Sequence, residues 1–182
     1  MREALAYCKQ KVFGGGWQVI QQRMLQLPYS RPLMADYVRG FGRPDGDYWI
    51  GLDAMATITA IPHELLIIIR DKFGRELAAH YAFIRINQAE LGYAIQLGEK
   101  MSGELPDEWS RLNSKSFSAY DHERPVSCKD TSGWWHSRDC YAVNLNIQMG
   151  SGTPRVRYSN IEGYPDEFEV AEASMLIRPI RA

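Results

Sequence analysis

Three cysteines and four histidines are the side chains of this chain best suited to bond formation, metal binding or nucleophilic chemistry. Cys128 and Cys140 enclose a stretch rich in turn-forming residues, and Cys8 stands alone near the N-terminus. No other cysteine or histidine has the close spacing of a zinc site, so the pattern argues against zinc. The odd number of cysteines indicates a lost partner or a free thiol.

The residues offer little for catalysis. His136, Ser137 and Asp139 have the types of a nucleophilic triad, but they are sequence neighbours and no nucleophile elbow surrounds the serine. Gly14–Gly16 leads into a strand rather than a helix, so it is neither a phosphate loop nor a dinucleotide fingerprint. We therefore predict no enzymatic activity and no organic cofactor.

Composition restricts the partners. The chain has 182 residues, a net charge of -1, 45% hydrophobic and 24% charged residues, as expected for one globular domain. A near-neutral chain has no general attraction to nucleic acid or to an anionic membrane surface. The longest apolar run, 65–69, is too short to span a bilayer. Five Trp and ten Tyr suit either a bulky core or a binding surface, and we assign most of them to the core.

The elements that must position these residues are short and separated by turn signals. In the N-terminal part the pattern predicts a strand over 17–22, a helix over 31–39 with Ser30 as its N-cap and Gly40 as its stop, and a brief strand over 48–50.

The middle of the chain reads as an antiparallel meander. Asp53 is the predicted N-cap of a short helix over 54–58, and strands follow over 64–70, 79–86 and 93–97. The predicted strand 79–86 alternates with a period of two.

This alternation places Tyr81 on the face opposite Ile84 and Ile86. After Gly98 periodicity is weak, and a closing strand is predicted only over 175–178. The fold class is α+β.

Seven segments of the chain together resemble one family. They are GGGWQVIQQR (14–23), DYVRGFGRPDGDYWIGLD (36–53), ELLIIIRDKFGRELAAHYAFIRI (64–86), FSAYD (117–121), SGWW (132–135), NLN (144–146) and SMLIRP (174–179). In this order, with Cys128 and Cys140 around SGWW, they resemble the fibrinogen C-terminal domain of fibrinogen chains, ficolins, tachylectins, tenascins and angiopoietins. The resemblance covers nearly the whole chain.

The resemblance implies a single fibrinogen C-terminal-like domain over 1–182, with a twisted, mainly antiparallel sheet and short helices. Its parts are an N-terminal subdomain (1–50), a central sheet (51–115), a loop-rich ligand lobe (116–174) and a closing strand (175–182).

It also implies a disulfide between Cys128 and Cys140. A loop of that size contributes about 3 kcal/mol in the chain-entropy model. The alternative is two reduced cysteines in a cytosolic protein. Family members usually pair the cysteine that Cys8 matches with one further upstream, so we expect Cys8 to have lost its partner.

In the family this cysteine bracket frames the binding pocket, where the peptide bond before the second cysteine is often cis. Here that bond joins Asp139 to Cys140. An acetyl methyl group would enter an aromatic-lined hole, while backbone N–H groups meet the carbonyl. Tyr141 stands where family lectins often have His, and Tyr158 and Tyr164 fall near other pocket aromatics. The alternative for all three is a tyrosine packed on the lobe surface.

A calcium site is the only metal site that the resemblance suggests. Asp121 and Glu123 have the i, i+2 spacing of acidic ligands for this hard cation. The loop before Cys128 is shorter than the family pattern, so neither register gives a proper acidic pair. The alternative is a solvated loop in which Asp121 and Arg124 pair weakly.

Two further features concern the ligand. Trp134 and Trp135 could stack on sugars, but we assign them to the core of the lobe. The segment 147–170 departs from the family pattern and has no Trp, although it builds one side of the usual pocket.

The sequence therefore predicts a secreted, lectin-like recognition domain for glycans or acetylated groups, oligomeric in its full-length protein. The first alternative is a protein-interaction module in adhesion, coagulation-like assembly or receptor signalling, and the second is a decayed, truncated paralogue. The N-terminus lacks the apolar run of a signal peptide. We expect the sequence to be a fragment of an extracellular protein or to have lost its leader.

Overall fold

A computed structural model describes residues 6–24, 31–71, 73–122, 128, 132–137, 143–146 and 170–180. Its strands are β1 (Cys8–Lys9), β2 (Trp17–Arg23), β3 (Phe41–Gly42), β4 (Tyr48–Trp49), β5 (His63–Asp71), β6 (Glu76–Ile86), β7 (Ile95–Leu97), β8 (Lys100–Ser102) and β9 (Val170–Pro179). Its helices are α1 (Met34–Arg39), α2 (Leu52–Ile58) and the 3-10 turns Ala89–Leu91 and Trp109–Leu112.

The nine strands form one antiparallel sheet in the order β3-β4-β2-β9-β5-β6-β7, with β1 added to β2 and β8 added to β6. The predicted meander of β5, β6 and β7 is confirmed. The closing strand β9 lies in the middle of the sheet, between β2 and β5. It begins at Val170, so it is longer than the predicted 175–178 and takes in residues assigned to the lobe.

A β-bulge changes which residues of β6 face the core. Leu65 pairs with Tyr81, whereas His63 pairs with Ile84, so β6 has one extra residue between the two pairs. The extra residue shifts the alternation, and Tyr81, Ile84 and Ile86 all pack into the same core cluster. The predicted placement of Tyr81 on the opposite face is therefore wrong.

Helix α1 starts later than the predicted 31–39. It begins at Met34 with Leu33 as its N-cap, so the prediction that Ser30 caps it is wrong. The backbone N–H of Leu33 donates to Oδ2 of Asp36 at 2.9 Å, which supplies the N-terminal hydrogen bond within the helix itself.

Glycines at both helix ends adopt backbone angles that favour glycine. Gly40 ends α1 with φ 91°, as predicted, and Gly51 is the N-cap of α2 with φ 105°. The prediction that Asp53 caps α2 is wrong, since Asp53 lies in the first turn of the helix. Its Oδ1 instead accepts a hydrogen bond from the Tyr93 hydroxyl at 2.6 Å.

The sheet buries a different core on each face. The front face, defined by Leu65, Ile67 and Met175, packs against the helices and the C-terminal lobe in the larger cluster. The back face, defined by Leu66, Ile68, Ala78 and Leu176, packs in a smaller cluster with Trp17 and Val19. Within the described residues, no helix is both long and apolar enough to cross a bilayer.

Candidate functional site

One described segment of the C-terminal lobe, Ser132–Ser137, is fixed to the sheet through its two tryptophans. Trp134 and Trp135 are buried in the front-face core, as predicted. The indole N–H of Trp135 donates to the Tyr93 carbonyl at 2.8 Å, and Trp134 exchanges two backbone hydrogen bonds with Ser118. The pair therefore serves as an anchor and not as a sugar platform.

A buried polar network joins this segment to the first long strand. Nε2 of Gln21 on β2 donates to the Leu145 carbonyl at 3.1 Å and to Oδ1 of Asn146 at 3.2 Å. Nδ2 of Asn146 donates to the Gly133 carbonyl at 3.2 Å, and the Gly133 N–H donates to the Tyr37 hydroxyl oxygen at 3.0 Å. These bonds connect β2, α1 and two lobe segments inside a region shielded from water, where an unpaired polar group is costly.

Ser132 makes further hydrogen bonds to Asn144, across the two lobe segments, and to His136, within its own segment. Oδ1 of Asn144 accepts from the Asn146 backbone N–H at 2.8 Å and from the Ser132 hydroxyl at 3.3 Å. Nε2 of His136, which is buried, lies 2.9 Å from the Ser132 carbonyl oxygen. Because a carbonyl only accepts, Nε2 carries the proton in this contact, and His136 cannot use that nitrogen as a general base.

Electrostatics keeps the tyrosine beneath this anchor protonated. Burial and the hydrogen bond to Asp53 raise the pKa of Tyr93 to about 12. Its hydroxyl therefore stays protonated and donates to Asp53 to a higher pH than an ordinary tyrosine. Its backbone carbonyl separately accepts the Trp135 indole N–H.

The predicted ligand residues Asp139, Cys140, Tyr141, Tyr158 and Tyr164 lie outside the described residues. Their assignment to a pocket stays a prediction.

Two of the three cysteines, Cys8 and Cys128, are among the described residues. Cys128 is buried and disulfide-bonded, with Sγ 3.7 Å from the Ser137 carbonyl oxygen. Cys8 is an exposed free thiol. The pairing of Cys128 with Cys140 stays a prediction, because Cys140 is not among the described residues.

Asp121, the predicted calcium ligand that the structure describes, is engaged elsewhere. Its Oδ1 accepts the backbone N–H of Met34 at 2.7 Å, so it satisfies the first amide of α1. Glu123 lies outside the described residues, and the described ones contain no group of three His, Cys, Asp or Glu that could hold a metal ion. A single carboxylate does not provide the six to eight oxygens that Ca²⁺ takes, so the described donors alone do not fit calcium.

Gln21 and Tyr37 were not predicted from the sequence as supports of the lobe. The available signal was the polar run Gln21-Gln22-Arg23 inside an otherwise apolar strand, because a polar side chain on a buried strand needs a hydrogen-bonding partner. That signal indicates a partner but does not identify Asn146 or the Leu145 carbonyl as that partner.

The comparisons with known proteins agree with this architecture. The family model for the C-terminal globular domain of fibrinogen beta and gamma chains matches residues 1–180. Human angiopoietin-related protein 6 is 34% identical over 186 residues, which cover 96% of this chain and 39% of that protein. The chain thus spans about two fifths of that relative's length.

Solved structures share the fold. The fibrinogen-like globe domain of human ANGPTL6 matches with a TM-score of 0.83 and 32% identity, over 96% of this chain and 83% of that one. A lamprey fibrin D-dimer complexed with the peptide Gly-His-Arg-Pro-amide matches with a TM-score of 0.74 and 21% identity, over 96% of this chain and 64% of that one. With the family model matching almost end to end, this chain belongs to the fibrinogen C-terminal domain family.

Proposed function

We propose that this chain is an extracellular, non-enzymatic recognition domain that binds a protein or peptide segment through its C-terminal lobe. The observation that carries the proposal is the anchoring of the lobe. Ser132–Ser137 and Val143–Asn146 are fixed to the sheet through Trp135, Gln21 and Asn146. The chain between these segments, which contains the predicted ligand residues Asp139, Cys140 and Tyr141, thus starts and ends at fixed points. A rigid support lowers the ordering cost of binding.

The relatives favour a protein ligand over a glycan. Angiopoietin-related proteins and fibrinogen chains are among the matches, and the lamprey fibrin structure was solved with a peptide ligand. The engaged Nε2 of His136 also supports recognition without catalysis.

An acetylated glycan is the second candidate. The observation that favours it is the disulfide of Cys128, which is one side of the bracket expected to frame an acetyl pocket. Tyr141 would provide the aromatic wall of that pocket.

The deciding experiment offers the folded, oxidised domain two kinds of ligand. One arm selects binders from a phage-displayed peptide library, and the other measures retention on N-acetylglucosamine-agarose, with and without calcium and with competing acetate. Each arm compares the wild type with Tyr141→Ala and with Phe73→Ala, a control at a 75% exposed position in the β5–β6 turn.

Peptide binding that Tyr141→Ala abolishes and Phe73→Ala leaves intact supports the proposal. If no peptide is selected and the domain is retained on the sugar resin until acetate competes it off, the glycan function replaces the proposed one. If Tyr141→Ala leaves binding unchanged in an arm, the ligand of that arm does not bind at the part of the lobe that contains Tyr141.

A further inference from the structure

A concave site lies on the back face of the sheet, the face opposite the one that packs against the lobe. It is a groove of about 460 Å³ between the N-terminal segment 7–12 and strands β5, β6 and β9. Ile68 and Ser174 line it from the back face of the sheet. This volume is in the range of small-molecule sites. The groove is independent of the function proposed for the lobe.

The side chain of Lys9 on β1 enters this groove. Its Nζ lies 3.4 Å from the Ser174 hydroxyl oxygen, a long hydrogen bond that is its only one within the described part of the chain. An ammonium group has three N–H donors, so most of the hydrogen-bonding capacity of this half-buried cation is not used by the protein.

The acidic residues of the groove are paired with another cation. Nη2 of Arg70 lies 2.7 Å from Oε1 of Glu76, and its Nη1 lies 3.4 Å from Oε2 of Glu172. Burial lowers the pKa of Lys9, and the positive charge of Arg70 lowers it further, while Glu172 and Glu76 oppose the change without cancelling it. More of the Lys9 amine is therefore uncharged near neutral pH than for an ordinary lysine.

We propose that Lys9 is a covalent capture site for small, uncharged aldehydes. The lone pair of the uncharged Nζ attacks the carbonyl carbon of the aldehyde. The carbonyl oxygen then departs as water, taking both amine hydrogens, and a neutral imine remains. The Ser174 hydroxyl is placed to hydrogen-bond the oxygen during addition, and Ile68 and Val12 offer apolar contacts to the rest of the aldehyde. Glu76 and Glu172 share the single arginine Arg70, so the negative charge of these carboxylates is not fully balanced by it and disfavours an anionic aldehyde.

The test uses limiting butanal with cyanoborohydride, which reduces each imine to a stable secondary amine that peptide mapping can locate. Lys11 is the internal control, because it lines the same groove and is exposed. At pH 7, Lys9 should be labelled about threefold or more ahead of Lys11, because a larger fraction of its amine is uncharged. The ratio should fall towards one or below at strongly alkaline pH, where an ordinary lysine is uncharged as well.

Two variants test the physical cause. Arg70→Gln leaves the burial of Lys9 in place but removes the positive charge that lowers its pKa further, and it releases two carboxylates that raise that pKa. The preference for Lys9 should therefore become smaller. Arg43→Gln, in an exposed pair with Asp45, should leave it unchanged, and circular dichroism should show both variants folded. Labelling of Lys9 at or below the rate of Lys11 at pH 7 would overturn the proposal, as would full preference in folded Arg70→Gln.

Discussion

At the residue scale, the base of the lobe depends on close contacts between segments that are far apart in the chain. Gly133 is the clearest case. A Cβ atom at this position would lie 2.3 Å from Cε2 and 2.6 Å from Cζ of Tyr37, whose ring is buried and packs against Phe41, Trp49 and Phe117. Glycine is needed here for space, because the backbone angle of Gly133 is not in the left-handed region.

We therefore predict that Gly133→Ala lowers the free energy of unfolding by about 2 kcal/mol or more, the cost of overpacking a rigid core. Urea denaturation followed by tryptophan fluorescence measures it. Gly46→Ala is the matched control, since its Cβ would have only the Arg43 carbonyl oxygen at 4.0 Å nearby. Equal stabilities for the two variants would show that Tyr37 moves away easily.

Gln21 offers a second residue-scale test. Gln21→Leu removes both hydrogen bonds from Nε2 and leaves the Leu145 carbonyl and the Asn146 side chain short of a donor. We expect a loss of about 1–3 kcal/mol in the free energy of unfolding, from unsatisfied buried acceptors.

Gln18→Leu is the control for this loss. Gln18 is half-buried on the same strand, and its side chain makes no hydrogen bond within the described residues, so its substitution should change stability by less than about 0.5 kcal/mol. If Gln21→Leu were as stable as this control, the lobe would not depend on the polar network.

At the element scale, one charged cluster joins three strands to the N-terminal turn across the back face. Oε2 of Glu64 on β5 lies 2.8 Å from Nη2 of Arg178 on β9 and 2.9 Å from Nε2 of His80 on β6. Arg178 also donates to the Phe13 carbonyl at 3.1 Å, and its guanidinium lies 4.3 Å from the ring centre of Trp17. The turn before β2 is thus tied to the sheet through a single arginine.

This cluster predicts a pH-dependent contribution to stability. Burial alone would raise the pKa of Glu64, but hydrogen bonds from Arg178 and His80 outweigh it and lower the pKa below the ordinary value. A lowered carboxyl pKa gives stability that is fully present above the pKa of the unfolded chain and is lost as pH falls through that of the folded state.

Glu64→Gln should therefore be less stable than the wild type by about 1–3 kcal/mol at pH 7, and the gap should shrink as the pH falls towards 3. Urea denaturation across this range measures it. Asp45→Asn, in a pair whose side chains are 67% and 82% exposed, should show no measurable change at pH 7. A gap for Glu64→Gln that is constant with pH would contradict the assignment.

At the scale of the whole molecule, the disulfide of Cys128 is a covalent cross-link within the protein whose partner can be tested directly. We predict that non-reducing peptide mapping finds Cys128 linked to Cys140 and that iodoacetamide labels only Cys8 in the native protein, because Cys128 is bonded and Cys8 is an exposed thiol. Reduction should lower the free energy of unfolding by about 3 kcal/mol.

Cys8→Ser is the control and should retain both the link and the stability. Labelling of Cys140 together with Cys8 in the native protein would show that Cys128 has a different partner.

Several features could be predicted from the sequence because they are local or are carried by motifs. The apolar run 65–69 and the alternating segment after it predicted an antiparallel hairpin, and β5 and β6 form it. The SGWW segment indicated both the family and the burial of its tryptophans, and both are confirmed. The spacing of apolar residues along a short segment indicates which face of that segment is buried. This can be seen from the sequence because it depends only on residues a few positions apart.

The tertiary structure decided what depends on distant contacts. The position of β9 between β2 and β5, the partners of Gln21 and the use of Asp121 to satisfy the first amide of α1 all join segments far apart in sequence. The bulge in β6 reverses an alternation that the sequence shows without interruption. Local periodicity does not reveal such pairings, because their free energy arises only when the whole chain is packed. The sequence by itself thus determined the family and the β5–β6 hairpin, whereas packing determined the register, the buried network and the back-face groove.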